Sequence, residues 1–132
     1  MIIDSSVLIA IVMGEPEAGL YLNRINEEAA AYISAATLVE TLIAAQHKGG
    51  EKHGDAAVAD IETILHRGAV EVLPFNEEQA RLARQAWKRY GKGHHQAKLN
   101  FGDCLSYAAA KYYGEPLLFK GEGFPFTDIA AA

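Results

Sequence analysis

The sequence predicts an α/β fold in a single domain spanning residues 1–132, with a central parallel sheet of about four to five strands and helices on both faces. Three observations lead there. Short apolar runs of strand length alternate with longer segments of helical period, in the order strand, two helices, strand, two helices, strand, two helices, strand. Acids, asparagines and serines stand at the starts of the helical segments and glycines at their ends, so most helices carry their own boundaries. Finally, 132 residues, half of them hydrophobic, can bury about two-thirds of the surface that the unfolded chain exposes.

Met1 to Ile3 form an apolar run that stops at Asp4, and Ser5 or Ser6 can cap a helix through "VLIAIVM", so a strand turns directly into a helix. In "GEPEAGLYLNRINEE", Pro16 suits a first helical turn, acids flank it, and Leu20 and Ile25 recur on one side. "AYIS" (31–34) is a short strand. "AATLVETLIAAQHK" after it is apolar around most of its circumference and ends at Gly49 and Gly50, which predicts a buried helix. Asp55 caps a separate helix, "AAVADIETILHR", where Val58, Ile61, Ile64 and Leu65 share a face and Gly68 ends it. "VEVLPF" alternates and is closed by Pro74, a strand. Asn76 opens "NEEQARLARQAWKRY", with acids in the first turn and basic residues toward Gly91, an arrangement that complements the helix dipole. "GKGHHQAKLN" is loop, Asn100 caps "FGDCLSYAAAKYY", Gly114 terminates it, and Pro116 leads into the strand "LLFK".

Composition narrows the function. No run reaches the roughly 18 apolar residues that a bilayer span requires, and "MIIDSS" lacks the basic region of a secretory signal, so the expected setting is the cytoplasm with no membrane partner. The single cysteine, Cys104, excludes an internal disulfide and argues against a cysteine-based zinc centre. A net charge of -5 argues at first against nucleic acid. Its distribution argues otherwise: no acid lies between Gln79 and Gly102, where Arg81, Arg84, Lys88, Arg89, Lys92 and Lys98 make up half of the twelve basic residues, beside His94 and His95. Such a stripe is either a solvated helix face or a track for a phosphate backbone.

In a parallel sheet, ligands bind beyond the carboxyl ends of the strands. Asp4 ends the first strand, Glu40 lies in the first turns after the second, Asp103 lies in the first turn of its helix, and Glu122 follows the last strand. If the Asp103 helix runs antiparallel to the strands, all four carboxylates gather at one edge. Each has a structural alternative: Thr37 to Glu40 fits a capping box, Asn100 to Asp103 resembles one, and Glu122 suits an exposed turn. Together they are harder to explain, since two carboxylates about 5 Å apart repel by roughly 3 kcal/mol at an effective dielectric of about 20. Oxygen ligands without Cys or His point to Mg²⁺ or Mn²⁺, and that chemistry suits phosphodiester hydrolysis. In this reading Asp4 and Asp103 are direct ligands, Glu40 a ligand or the group that orients the attacking water, and Glu122 or Asp128 an outer or second-metal ligand. Ser5 and Ser6 act as caps and hydrogen-bond donors. Arg84, Lys88, Arg89, Lys92 and Lys98 hold the substrate backbone.

"MIIDSSVLIAI", "ISAATLVETLIA", "LNFGDCLSYAAAKYYGEPLLFKG" and "FTDI" together resemble the PIN-domain ribonucleases, specifically the VapC-type toxins of bacterial toxin-antitoxin pairs. The resemblance covers nearly the whole chain and implies a PIN-like three-layer fold. It implies a Mg²⁺- or Mn²⁺-dependent endoribonuclease whose acid cluster includes Asp4, Glu40 and Asp103. It further implies a homodimer neutralised by a small cognate antitoxin that docks on the toxin and obstructs the site. One motif departs: relatives usually read Gly-Asp-Asp-Phe where this chain has "GEGF", so Glu122 replaces one acid and Gly123 the other. Gly123→Asp is therefore expected to restore a ligand. Two alternatives stand beside this reading. One is a PIN-like domain that binds RNA or a partner without cutting; the other is a receiver-type phosphoacceptor domain, in which Lys120 would be the lysine of the last strand.

Overall fold

A computed structural model describes residues 1–132. The elements follow in the order β1 (Ile2–Ile3), α1 (Ser5–Val12), α2 (Ala18–Glu27), β2 (Tyr32–Ser34), α3 (Ala35–Arg67), β3 (Glu71–Leu73), α4 (Glu77–Tyr90), α5 (Phe101–Tyr113) and β4 (Leu117–Leu118), with a 3₁₀ turn at Phe124–Phe126. The four strands form one parallel sheet in the order β3-β2-β1-β4. The strands are shorter than the apolar runs suggested, because pairing with neighbours sets their length. "VEVLPF" contributes only Glu71 to Leu73, on the outer strand.

Successive residues of a strand point to opposite faces of a sheet, and that alternation divides the core here. Ile3, Ile33 and Leu118 pack with Val7, Leu8, Ile25, Ile61 and Leu65 from α1 to α3. Ile2 and Leu117 pack on the other side with Ala86, Tyr90, Tyr107 and Phe124. The result is three layers. Ile2, Ile3, Ile33 and Leu117 are fully buried, each worth about 1.5–3 kcal/mol relative to exposure.

The helix ends correct several sequence expectations. Asp4 itself, not Ser5 or Ser6, caps α1: its carboxylate accepts the Ser6 N–H. The start of α2 is Ala18, two residues past Pro16. Ser34 caps α3 by accepting the Ala36 N–H, so Thr37 is free of the expected capping box and is buried inside the first turn. Gly49 and Gly50 kink α3 and do not end it. Gly50 takes φ 66°, ψ -164°, and helix resumes at once, leaving Asp55 inside it. The tight corner relies on missing side chains, since a Cβ on Gly49 would lie 2.6 Å from the Gly54 nitrogen and one on Gly54 would lie 2.7 Å from the Gln46 carbonyl oxygen. Helices α4 and α5 begin as read, capped by Asn76 and Asn100.

Candidate active site

Asp4 follows β1, and its N–H donates to the Leu118 carbonyl of the neighbouring strand at 2.9 Å, which fixes the backbone between two strands. Only 2 % of the residue is exposed. Its side chain is held at both oxygens: Oδ2 accepts from Ser6 Oγ at 2.5 Å and from the Ser6 N–H at 3.0 Å, while Oδ1 accepts from Ser106 Oγ at 2.5 Å. Ser106 lies on α5, is fully buried, and is 3.3 Å from Thr37 Oγ1 of α3. This buried chain of hydroxyls ties β1, α3 and α5 together. The sequence reading missed Ser106; its signal was a lone hydroxyl in the apolar run "CLSYAAA", one turn after Asp103.

The Ser106 bond also fixes the direction of α5. Its first half lies at the carboxyl end of β1, while Glu115, just past its other end, meets the Met1 amino group at 2.6 Å. Helix α5 is therefore antiparallel to the strands, as the convergence of acids required. Asp103 sits in its first turn in a complete capping box: Asn100 Oδ1 accepts the Asp103 N–H at 2.8 Å, and Asp103 Oδ2 accepts the Asn100 N–H at 3.0 Å. Asp4 is thus a helix cap and Asp103 the reciprocal member of a capping box, which fixes both at the starts of helices on one edge. The positive ends of the α1 and α5 dipoles stand beside these carboxylates and offset part of their charge.

Glu40 reaches the same place from α3. Ser5 Oγ donates to its Oε1 at 3.1 Å, while Oε2 is buried without any partner. Burial pushes the Glu40 carboxyl above the usual carboxylate range; the Ser5 hydrogen bond opposes this, and the charges of Asp4 and Asp103 add to it. Asp103 is raised by burial and by Asp4, against the lowering Asn100 N–H. The three acids lie in one another's fields. Even so, no three carboxylates converge closely enough in this arrangement to hold one ion together. Asp103 is turned back to its cap by the Asn100 N–H, so shared ligation requires side-chain movement within the cluster. The donor set and the orphaned Glu40 oxygen fit a hard divalent cation.

The remaining candidates separate. Glu122 is exposed on the turn after β4. Asp128 is occupied: it accepts from Tyr107 Oη at 2.6 Å and from Lys111 Nζ at 3.0 Å, with Arg89 at 3.9 Å. Lys111 is eight residues past Asp103, roughly 12 Å farther along the helix, so Asp128 clamps the C-terminal segment to α5 away from the acid edge. Gly123 leaves no room for a ligand, because a Cβ there would lie 2.6 Å from the Ala97 carbonyl oxygen. Lys120 pairs with Glu15 and Glu17 of the α1–α2 connection and not with the acids, contrary to the receiver-type arrangement. Arg84, Lys88, Lys92 and Lys98 are exposed and unpaired, whereas Arg81 is paired with Glu77.

The family model described as the PIN domain matches residues 1–130. The ribonuclease VapC of Mycolicibacterium smegmatis is 44% identical over 131 residues, covering 99% of this chain and 98% of that one. The chain belongs to the PIN domain family, in its VapC branch. Solved toxin structures agree with the fold. The VapC20 toxin of Mycobacterium tuberculosis, described as cleaving the sarcin-ricin loop, superposes with a TM-score of 0.70 at 21% identity, covering 99% of this chain and 97% of that one. A toxin-antitoxin complex from Klebsiella pneumoniae superposes with a TM-score of 0.66 at 17% identity, covering 99% and 95%. No helix of this PIN domain is long and apolar enough to cross a membrane.

Proposed function

We propose that this PIN domain is a Mg²⁺- or Mn²⁺-dependent endoribonuclease, the toxin of a toxin-antitoxin pair. The observation that carries the reading is the meeting of Asp4, Glu40 and Asp103 from three separate segments at the carboxyl edge of the sheet, in a chain 44% identical to a VapC ribonuclease. Asp4, Glu40 and Asp103 would hold the ion, with Glu122 the acid left to border it. Bound there, a divalent cation supplies an acidified water and offsets charge on the phosphoryl oxygen. Ser6 and Ser106 hold both oxygens of Asp4, and Ser5 donates to Glu40. Arg84, Lys88, Arg89, Lys92 and Lys98 hold the RNA backbone through charge-assisted hydrogen bonds.

Two partners belong to the same reading. A cognate antitoxin is supported by the fold shared with the Klebsiella pneumoniae toxin-antitoxin complex. A second copy of the chain is supported by an apolar face beside the acids, where Val39, Ile43, Trp87 and Phe101 are 54, 65, 52 and 79% exposed. The test is cleavage of RNA by the purified chain in Mg²⁺ or Mn²⁺ against EDTA, with Asp4→Ala and Asp103→Asn alongside. Metal-dependent cleavage lost in both folded variants is expected. RNA binding without cleavage in any metal would instead favour a non-catalytic PIN-like domain.

A further inference from the structure

Gly102 occupies the second position of α5, and glycine is a poorer helix former than alanine. Its φ is not in the left-handed region, so the backbone does not explain it. The space around it does. A Cβ built on Gly102 would lie within 2.5 Å of Glu40 Cδ and of both carboxylate oxygens. The Glu40 carboxylate rests on bare backbone one residue before Asp103, with Ser5 on Oε1 and nothing on the buried Oε2.

We infer that Gly102 is a positioning residue for the acid cluster: by lacking a side chain it forms the seat that keeps the Glu40 carboxylate between Ser5 and the first turn of α5, within reach of Asp4 and Asp103. A methyl group at this position overlaps the Glu40 carboxylate where it stands and displaces it from the first turn of α5. The cluster then loses one oxygen ligand while the helix gains propensity. Metal affinity and helix stability move in opposite directions, which a merely structural role for Gly102 does not produce.

This inference rests on the metal-dependent reading above, and the experiment separates the two. Mn²⁺ binding to the full chain is measured by calorimetry for wild type, Gly102→Ala, Glu40→Asp and the double variant, with melting in EDTA for each. Gly102→Ala is expected to weaken Mn²⁺ binding about 10-fold or more in the wild-type background. In the Glu40→Asp background, whose shorter side chain clears the methyl group, the same change is expected to cost under about twofold. Equal losses in the two backgrounds, or no loss in either, overturn the seat. Absence of Mn²⁺ binding by the wild type overturns the metal reading and the inference with it. Should Gly102→Ala not fold, Glu40→Ala added to it restores folding if the seat is real, and failure to restore it refutes the seat.

Discussion

Removing the Ser106 hydroxyl tests how Asp4 is held. In Ser106→Ala the fold loses a 2.5 Å hydrogen bond to a carboxylate that is 2% exposed, and Asp4 Oδ1 keeps no other donor. Hydrogen bonds to charged groups contribute about 1.5–3 kcal/mol, and no steric relief offsets the loss, since alanine fits the space that serine leaves. For a chain of this length 1 kcal/mol moves the melting temperature by about 3–4 °C. A fall of roughly 5–11 °C in EDTA is expected, read by circular dichroism. The bond to Thr37, at 3.3 Å between neutral hydroxyls, adds little. A double-mutant cycle with Asp4→Ala isolates the contribution: Ser106→Ala should cost at least about 1 kcal/mol less once the carboxylate is gone. An equal cost in both backgrounds would show that Ser106 acts through packing alone and would refute the reasoning.

Other expectations follow from the same contacts. Gly123→Asp, which by sequence alone restores a ligand, should push against the Ala97 carbonyl and destabilise the protein by about 1–3 kcal/mol, with no gain in metal affinity; a normal melting temperature with a lowered Mg²⁺ requirement would contradict this. Burial pushes the Asp128 carboxyl up, but Tyr107 and Lys111 outweigh it and hold the group below its usual range. A depressed carboxylate stabilises the fold above its unfolded pKa of about 3.9 and loses that contribution as pH falls through the folded value. The melting-temperature gap between wild type and Asp128→Asn should therefore be constant from pH 7 to about 4 and close below it; a gap that persists at pH 2 would refute the ion pair as its source. Gly50→Ala places a side chain at φ 66°, ψ -164°, a region open essentially to glycine alone, with free space around it, so the cost is backbone strain, about 1–3 kcal/mol. A melting temperature unchanged in that variant would mean the kink relaxes.

Much of this PIN domain was legible because its signals are local. Element order follows from hydrophobic period, and the α4 and α5 starts follow from Asn76 and Asn100, whose side chains bond the N–H three residues on. The placement of acids at strand ends and a helix start is local too, which is why Asp4, Glu40 and Asp103 can be grouped, together with Glu122, from the sequence. The kink at Gly50 was misread as an end because two glycines in a row look alike whether the chain leaves the helix or folds back on it. Only the packing of Gly49 against Gly54 distinguishes the two.

Contacts between distant segments decided the rest. Ser106 and Asp4 are 102 residues apart, and no period or spacing relates them. Asp128 had the right charge and a plausible place on the chain, yet Tyr107 and Lys111 claim it from another helix turn. Gly123 reads as a lost acid in the sequence, whereas in the fold the Ala97 carbonyl stands where its side chain would be, as the Glu40 carboxylate does at Gly102. The sequence by itself determined which elements form and which residues can carry the chemistry, because capping, period and turn chemistry act over a few residues. The tertiary structure alone decided which carboxylate is free, which is paired and which glycine makes room, because close packing sets these distances across the chain to within a few tenths of an ångström.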